Sequence, residues 1–165
     1  MAFDAFLKIA TIPGESTDDK HKDWIEILSF SHSLSQPSSS TGASAGGART
    51  SGRVEMQDFS VVKTLDKASP KLALACCKGE HIKDVTLELC RAGGDKQKYM
   101  VYKLTDAVVA NVRNGGSAKG GDQLPTEEVS FHFAKIEWTF TVIDSTGKAK
   151  GNVPAYWDLQ KNAGG

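Results

Sequence analysis

Large apolar residues alternate with polar ones through most of the chain, and the longest such run, Val129 to Ile143, changes phase midway. Phe131 and Phe133 occupy one phase, whereas Ile136, Trp138, Phe140 and Val142 occupy the other. Alternation at period two puts the two sets on opposite faces of a strand, so the change of phase predicts a bulge near Ala134 and Lys135. A strand bent there can serve two sheets, as closed barrels and orthogonal sandwiches require. The fold class expected is mainly β, a small β-barrel with bulged strands, formed as a single domain over residues 1–165.

The remaining pattern fits that frame. Phe3 to Ile9 predicts a first strand, closed by the turn Ile12-Pro-Gly-Glu15, and the polar run Ser16 to Asp23 a solvated loop. From Trp24 to Ser35, Trp24, Leu28, Phe30 and Leu34 form one phase and are expected to face the core. The other phase starts with Ile25 and Ile27 and ends in Ser29, Ser31 and Ser33, so its later half is expected to face water or a hydrated channel. Residues 36–52 contain no large apolar side chain and read as an extended loop arm leaving a barrel edge. Val54 to Leu65 predicts a strand with a second bulge near Gln57 and Asp58.

One short α-helix is predicted at about residues 70–78, capped by Ser69, opened by Pro70 and ended by Gly79. Strands over 82–91 and 98–113 form a hairpin across Gly93, Gly94 and Asp95. A second glycine-rich loop spans 114–122, and the Tyr156 to Leu159 cluster in the tail is expected to dock as an edge strand or to cover a barrel mouth.

Composition narrows the function. Twenty basic and twenty acidic residues give zero formal charge, which argues against nucleic-acid binding and against anionic lipid, and allows identical copies to approach one another. The first residues lack the basic and apolar regions of a secretory leader, and no apolar run approaches the roughly 18 residues of a membrane span, so no membrane insertion is expected. Cys76, Cys77 and Cys90 are odd in number and poorly spaced for disulfides, and read as small buried hydrophobes in a reducing compartment.

Catalytic signals are weak. No local motif joins His21, His32, His81 or His132 to a nucleophile, and nucleophile-elbow and zinc-protease patterns do not occur. Cys76, Cys77 and His81 lack the spacing of a structural zinc site. Neither glycine-rich loop carries the Gly-Lys-Ser/Thr ending that holds a phosphate. The expectation is no catalytic residue, no metal and no cofactor.

Several short motifs in order resemble a known family: Phe3-Asp-Ala-Phe-Leu-Lys8, Ile12-Pro-Gly-Glu-Ser16, Asp23-Trp-Ile25, Met56-Gln-Asp-Phe59, Ser69-Pro-Lys-Leu72 with Ala75-Cys76, Gly79-Glu-His-Ile82, Pro125-Thr-Glu-Glu-Val-Ser130, Phe133-Ala-Lys-Ile136 and Trp157-Asp-Leu159. Together they are similar to the Hcp (haemolysin-coregulated protein) family, the tube proteins of bacterial type VI secretion. The resemblance implies a non-enzymatic β-barrel protomer with one helix, assembling as a homo-hexamer whose rings stack into a tube. It implies a VgrG spike, a contractile sheath and secreted effectors as partners. It also implies synthesis in the bacterial cytoplasm and export to the extracellular space or a target cell without a signal peptide. The arm resembles the family loop that reaches the neighbouring ring, making Gln36, Ser39, Thr41, Ser44 and Arg49 candidate stacking residues. Ser29, Ser31 and Ser33 are candidates for the lumen wall. With no room after the barrel for a toxin domain, a carrier is expected rather than an effector. The competing reading is a monomeric β-barrel that binds a small apolar ligand in its interior.

Overall fold

A computed structural model describes residues 2–37, 52–121 and 124–165. In chain order the elements are β1 (Phe3–Ile9), β2 (Ile25–Ile27), β3 (Ser29–Ser31), β4 (Leu34–Ser35), β5 (Glu55–Met56), β6 (Phe59–Thr64), α1 (Ser69–Lys78), β7 (His81–Arg91), β8 (Lys98–Gly115), β9 (Thr126–Ile143), β10 (Ala149–Asp158) and β11 (Ala163–Gly164). The class is mainly β with one short helix, as the alternation predicts. No described helix is long and apolar enough to cross a membrane.

β9 organises the sheet. One of its edges pairs with β8 along nearly its whole length. Its other edge pairs with β6 from Thr126 to Phe131 and with β10 from Lys135 to Ile143. The phase change therefore falls where β9 passes from one neighbour to the next, within a single nine-stranded sheet rather than between two sheets. No residue is inserted there, however: Thr105 pairs with Lys135 and Ala107 with Phe133, so Asp106 and Ala134 are skipped together. The break is made by Asp106, held at φ 52°, and by the Ala134 carbonyl, which accepts the Leu159 N–H at 2.8 Å. The true register shifts lie at Leu89/Cys90 against β8, at Val109/Asn111 in β8 and at Ala149/Gly151 in β10.

The full sheet order is β11-β10-β9-β8-β7-β1-β2, with β6 on β9 and β3 on β6. The sheet curls until β2, on β1, and β3, on β6, meet in one segment of chain. The ladder itself is not closed. The seam is the single residue Leu28, whose N–H reaches the Val62 carbonyl at 2.8 Å.

This seam corrects the expected facing of 24–35. Ile25 and Ile27 are buried and Leu28 is 59% exposed, after which Phe30 turns inward and Leu34 is exposed. A segment that changes partner strand at Leu28 also changes which phase faces the core, so period two alone misassigns Ile25, Ile27 and Leu28, and Leu34, in the separate β4-β5 pair, is misassigned as well. Gly14 permits the preceding loop to lie on this strand, because a Cβ there would stand 2.4 Å from the Trp24 carbonyl oxygen. The predicted bulge at Gln57 and Asp58 is instead a gap between β5, which pairs with β4 in a separate two-stranded sheet, and β6.

Leu7, Ile25, Phe59, Val61, Leu87, Leu104, Phe131 and Ile136 fill the interior, with Leu72 and Ala75 of α1 packed on the same core. Each of the larger side chains contributes about 1.5–3 kcal/mol by leaving water. The helix begins differently from expectation: Ala68 occupies the cap position without a side-chain hydrogen bond, and Ser69 is the first helical residue. The Ser69 hydroxyl accepts the Asp66 N–H at 3.0 Å, while Asp66 Oδ1 accepts the Ala68 N–H at 2.9 Å. Gly79, at φ 60°, ends the helix as predicted. Of the cysteines only Cys90 is buried, since Cys76 is half-buried and Cys77 lies on the exposed side of α1.

The barrel end beneath the helix holds two charges. Lys63 and Glu127 are both fully buried, with Lys63 Nζ 2.6 Å from Glu127 Oε1 and 2.9 Å from Asp66 Oδ1. The ammonium also donates to the Thr64 carbonyl and the Ser69 hydroxyl, and Asn114 Nδ2 donates to Glu127 Oε2. Every face of the pair is thus satisfied.

Candidate functional site

The serine phase emerges as a continuous polar surface. Ser29, Ser31 and Ser33 are all exposed, while Phe30 points the other way onto Phe59 and Tyr102. Antiparallel register places Ser31 opposite Ser60 and Ser60 opposite Ser130, so three strands present hydroxyls side by side. The Ser60 and Ser130 hydroxyl oxygens are 2.8 Å apart. Ser31, His32, Ser33, Gln57, Asp58, Ser60 and Ser130 line an open depression of about 330 Å³. On the same surface His132 Nδ1 and Asp58 Oδ1 stand 2.5 Å apart. Among the described residues His32 Nε2 has no partner, and burial pushes the ring below the usual histidine range against the opposing effect of a backbone hydrogen bond with Gln57. Cross-strand register is what brings Ser60, Ser130, Asp58 and His132 beside Ser31, a relation that no single strand's sequence carries.

The arm is described only at its feet. Gln36 Nε2 donates to the Gly52 carbonyl oxygen, and β4 against β5 continues the pairing inward. Of the predicted stacking residues Gln36 is exposed at this point, whereas Ser39, Thr41, Ser44 and Arg49 lie outside the described residues. Beside the feet, Leu34, Val54, Met56, Trp138, Tyr156 and Trp157 border an apolar groove of about 400 Å³. The tail forms the edge strands β10 and β11, and leaves Phe140, Val142, Val153 and Tyr156 exposed.

The histidines do not assemble into a nucleophilic site. His81 pairs with Asp106 at 2.8 Å and His132 with Asp58, both on the surface. His21 is different. It is buried, with Nδ1 2.7 Å from Asp18 Oδ2 and Nε2 2.8 Å from Glu88 Oε2. Its ring stacks on Phe6 at 4.2 Å and meets Trp24 edge-on at 4.8 Å. Lys96, bonded to Asp18 at 2.8 Å, and then His21 hold the Asp18 carboxyl down at about 2. Cys90 Sγ lies 3.9 Å from His21 Nε2, and burial, reinforced by Glu88, Asp18 and Asp4, raises its thiol to about 11. A thiol in that condition is not an activated nucleophile. Sequence reading placed His21 in a solvated loop; the charged residues around it concealed that the imidazole is covered by two aromatic rings.

A family model described as type VI secretion system effector, Hcp, matches residues 6–140. Protein hcp1 of Pseudomonas aeruginosa is 35% identical over 164 residues, covering 98% of each chain. The major exported protein of the same organism is 26% identical over 140 residues, covering 81% of this chain and 78% of that one. A solved structure of a type six secretion system protein superposes with a TM-score of 0.92 at 35% identity, covering 99% of this chain and 100% of the other.

Proposed function

The chain belongs to the Hcp family of type VI secretion proteins, and from that premise we propose that it is a structural subunit of the secretion tube, closing into homo-hexameric rings that stack. The observation that carries this reading is where the polar surface lies. The protomer's interior is filled by side chains such as Phe59, Leu104 and Phe131, whereas Ser29, Ser31 and Ser33 are exposed and Ser31 borders an open depression floored by Ser60 and the buried Ser130. A hydrated channel must then form between protomers rather than within one. The same packing weighs against a monomeric barrel holding a small apolar ligand, and the depressions at Ser31 and at Trp138 are open to the surface rather than enclosed by the barrel.

In this reading Ser29, Ser31 and Ser33 face the lumen, and the arm from Gln36 to Gly52, including Ser39, Thr41, Ser44 and Arg49, engages the adjacent ring. Many weak contacts repeated around a ring add through multivalency. The exposed apolar residues of β9 and β10 supply surface for protomer contact. The role is that of a conduit and carrier rather than an enzyme, with effectors held in the lumen, a VgrG spike at the tip and a contractile sheath outside. Export follows synthesis in the bacterial cytoplasm, in keeping with the name of the exported relative. Negative-stain electron microscopy of the purified protein tests the assembly: ring-shaped particles with a central opening are expected. A strictly monomeric species in light scattering at high concentration would overturn it.

A further inference from the structure

Away from the polar surface, two segments distant in sequence bring three different ligand atoms together. His21 belongs to the loop before β2, and Glu88 and Cys90 are two positions apart on β7, so both side chains leave the same face of that strand. His21 Nε2 stands 2.8 Å from Glu88 Oε2 and 3.9 Å from Cys90 Sγ, and the three ligand atoms all lie within 4.8 Å of one another. Ligands about 2.0–2.3 Å from a tetrahedral zinc ion are themselves about 3.3–3.8 Å apart, so side-chain shifts of about an ångström would admit an ion between them.

The imidazole is already aimed. Phe6 and Trp24 fix the plane of the ring, and Asp18 Oδ2 accepts from Nδ1 at 2.7 Å, leaving Nε2 directed at Glu88 and Cys90. Asp18 is held in turn by Lys96 at 2.8 Å, and Glu88 Oε1 by Lys98 at 3.5 Å. A carboxylate behind a ligating histidine is the arrangement that orients imidazoles at metal centres and makes them better donors. We propose that His21 Nε2, Glu88 Oε2 and Cys90 Sγ form a binding site for a divalent transition metal of the zinc class, with Asp18 as the positioning residue.

The exchange balances. One hydrogen bridges His21 Nε2 and Glu88 Oε2 across their 2.8 Å contact. A dication takes the place of the Nε2 hydrogen, and coordination removes the Cys90 thiol hydrogen. Two protons leave for one doubly charged ion, so the net charge of this buried cluster does not change. A mixed nitrogen, sulfur and oxygen donor set favours zinc or cobalt over magnesium or calcium, which prefer oxygen alone. The bound ion would tie the loop to β7.

The experiment uses the full chain with Cys76→Ser and Cys77→Ser, which removes the two more accessible thiols, treated with chelator and titrated with cobalt(II) and separately with zinc(II). One ion per chain, a thiolate-to-cobalt charge-transfer absorption and a raised Tm with zinc are expected. Adding Cys90→Ser abolishes the absorption. Asp18→Asn keeps one ion per chain but weakens binding about 10–100-fold. Should Cys90→Ser fail to fold, histidine NMR of the parent decides instead: zinc shifts the His21 ring signals and leaves His81 and His132 unmoved. No metal uptake, unchanged absorption in Cys90→Ser, or unmoved His21 signals would overturn the proposal.

Discussion

Lys63 Nζ lies 2.6 Å from Glu127 Oε1 with both side chains withdrawn from water, on neighbouring strands that pair at this position. Two charges out of water are tolerated here because Asp66, Ser69, Thr64 and Asn114 complete their hydrogen bonds. The pair joins β6, β9 and the entry to α1. Glu127→Ala leaves the buried ammonium with Asp66 as its remaining carboxylate beside the Thr64 carbonyl and the Ser69 hydroxyl, and a loss at the low end of about 3–5 kcal/mol is expected in denaturant unfolding. The double change Lys63→Met with Glu127→Leu removes both charges together. It is expected to cost less than either single change, and a double variant as unstable as Glu127→Ala would show that the network does more than balance its own charges.

Part of the acid sensitivity of the fold is expected at Asp18. Its carboxyl, lowered from 3.8 to about 2 by Lys96 and then His21, stabilises the fold fully above the unfolded value. That contribution is lost as pH falls through the folded value. The window therefore runs from about pH 5 down to about pH 1. Asp18→Asn is expected to be less stable than the unaltered protein at pH 6, to lose less stability across that window, and to converge with it at the acid end. Urea midpoints measured at several pH values check this, and parallel curves would contradict it.

Much of the fold was legible because alternation is a local signal. The phase change in Val129 to Ile143 reports a real change of neighbours, from β6 to β10, and Pro70 and Gly79 bracket α1 closely. What was misread depends on partners distant in sequence. Ile25 and Ile27 face inward because the segment changes partner strand at Leu28, and the irregularity opposite Ala134 is carried by Asp106 on another strand. The polar surface was half visible, since Ser31 could be read from its own strand but Ser60 and Ser130 only through register. Nothing local marked His21, whose cover comes from Phe6 and Trp24 and whose partner Glu88 lies 67 residues away.

Deleting Ser38 to Ala48 should spare the barrel. No large apolar residue is lost, and the flanking residues Gln36 and Gly52 already meet through a hydrogen bond, so a shortened connection can close there. The Tm is expected to stay within a few degrees of the parent, with rings still visible by microscopy and their end-to-end stacking reduced. A large fall in Tm would mean that the arm contributes to the fold itself.

Enlarging Ser31 separates lining from structure. The side chain is exposed and stands opposite Ser60, with Phe30 turned to the other face, so Ser31→Gln removes no buried contact. The stability change expected is within about 0.5 kcal/mol, as for other surface positions. If this row lines the bore, six added side chains narrow it at one level, and effectors recovered with the purified protein should fall while rings persist. Comparison with Leu28→Gln controls for surface change elsewhere on the same segment, since Leu28 is exposed but belongs to the seam between β2 and β3. Equal effector recovery from the two variants would place Ser31 away from the cargo, whereas loss confined to Ser31→Gln would tie carriage to the hydroxyl row that Ser31, Ser60 and Ser130 share.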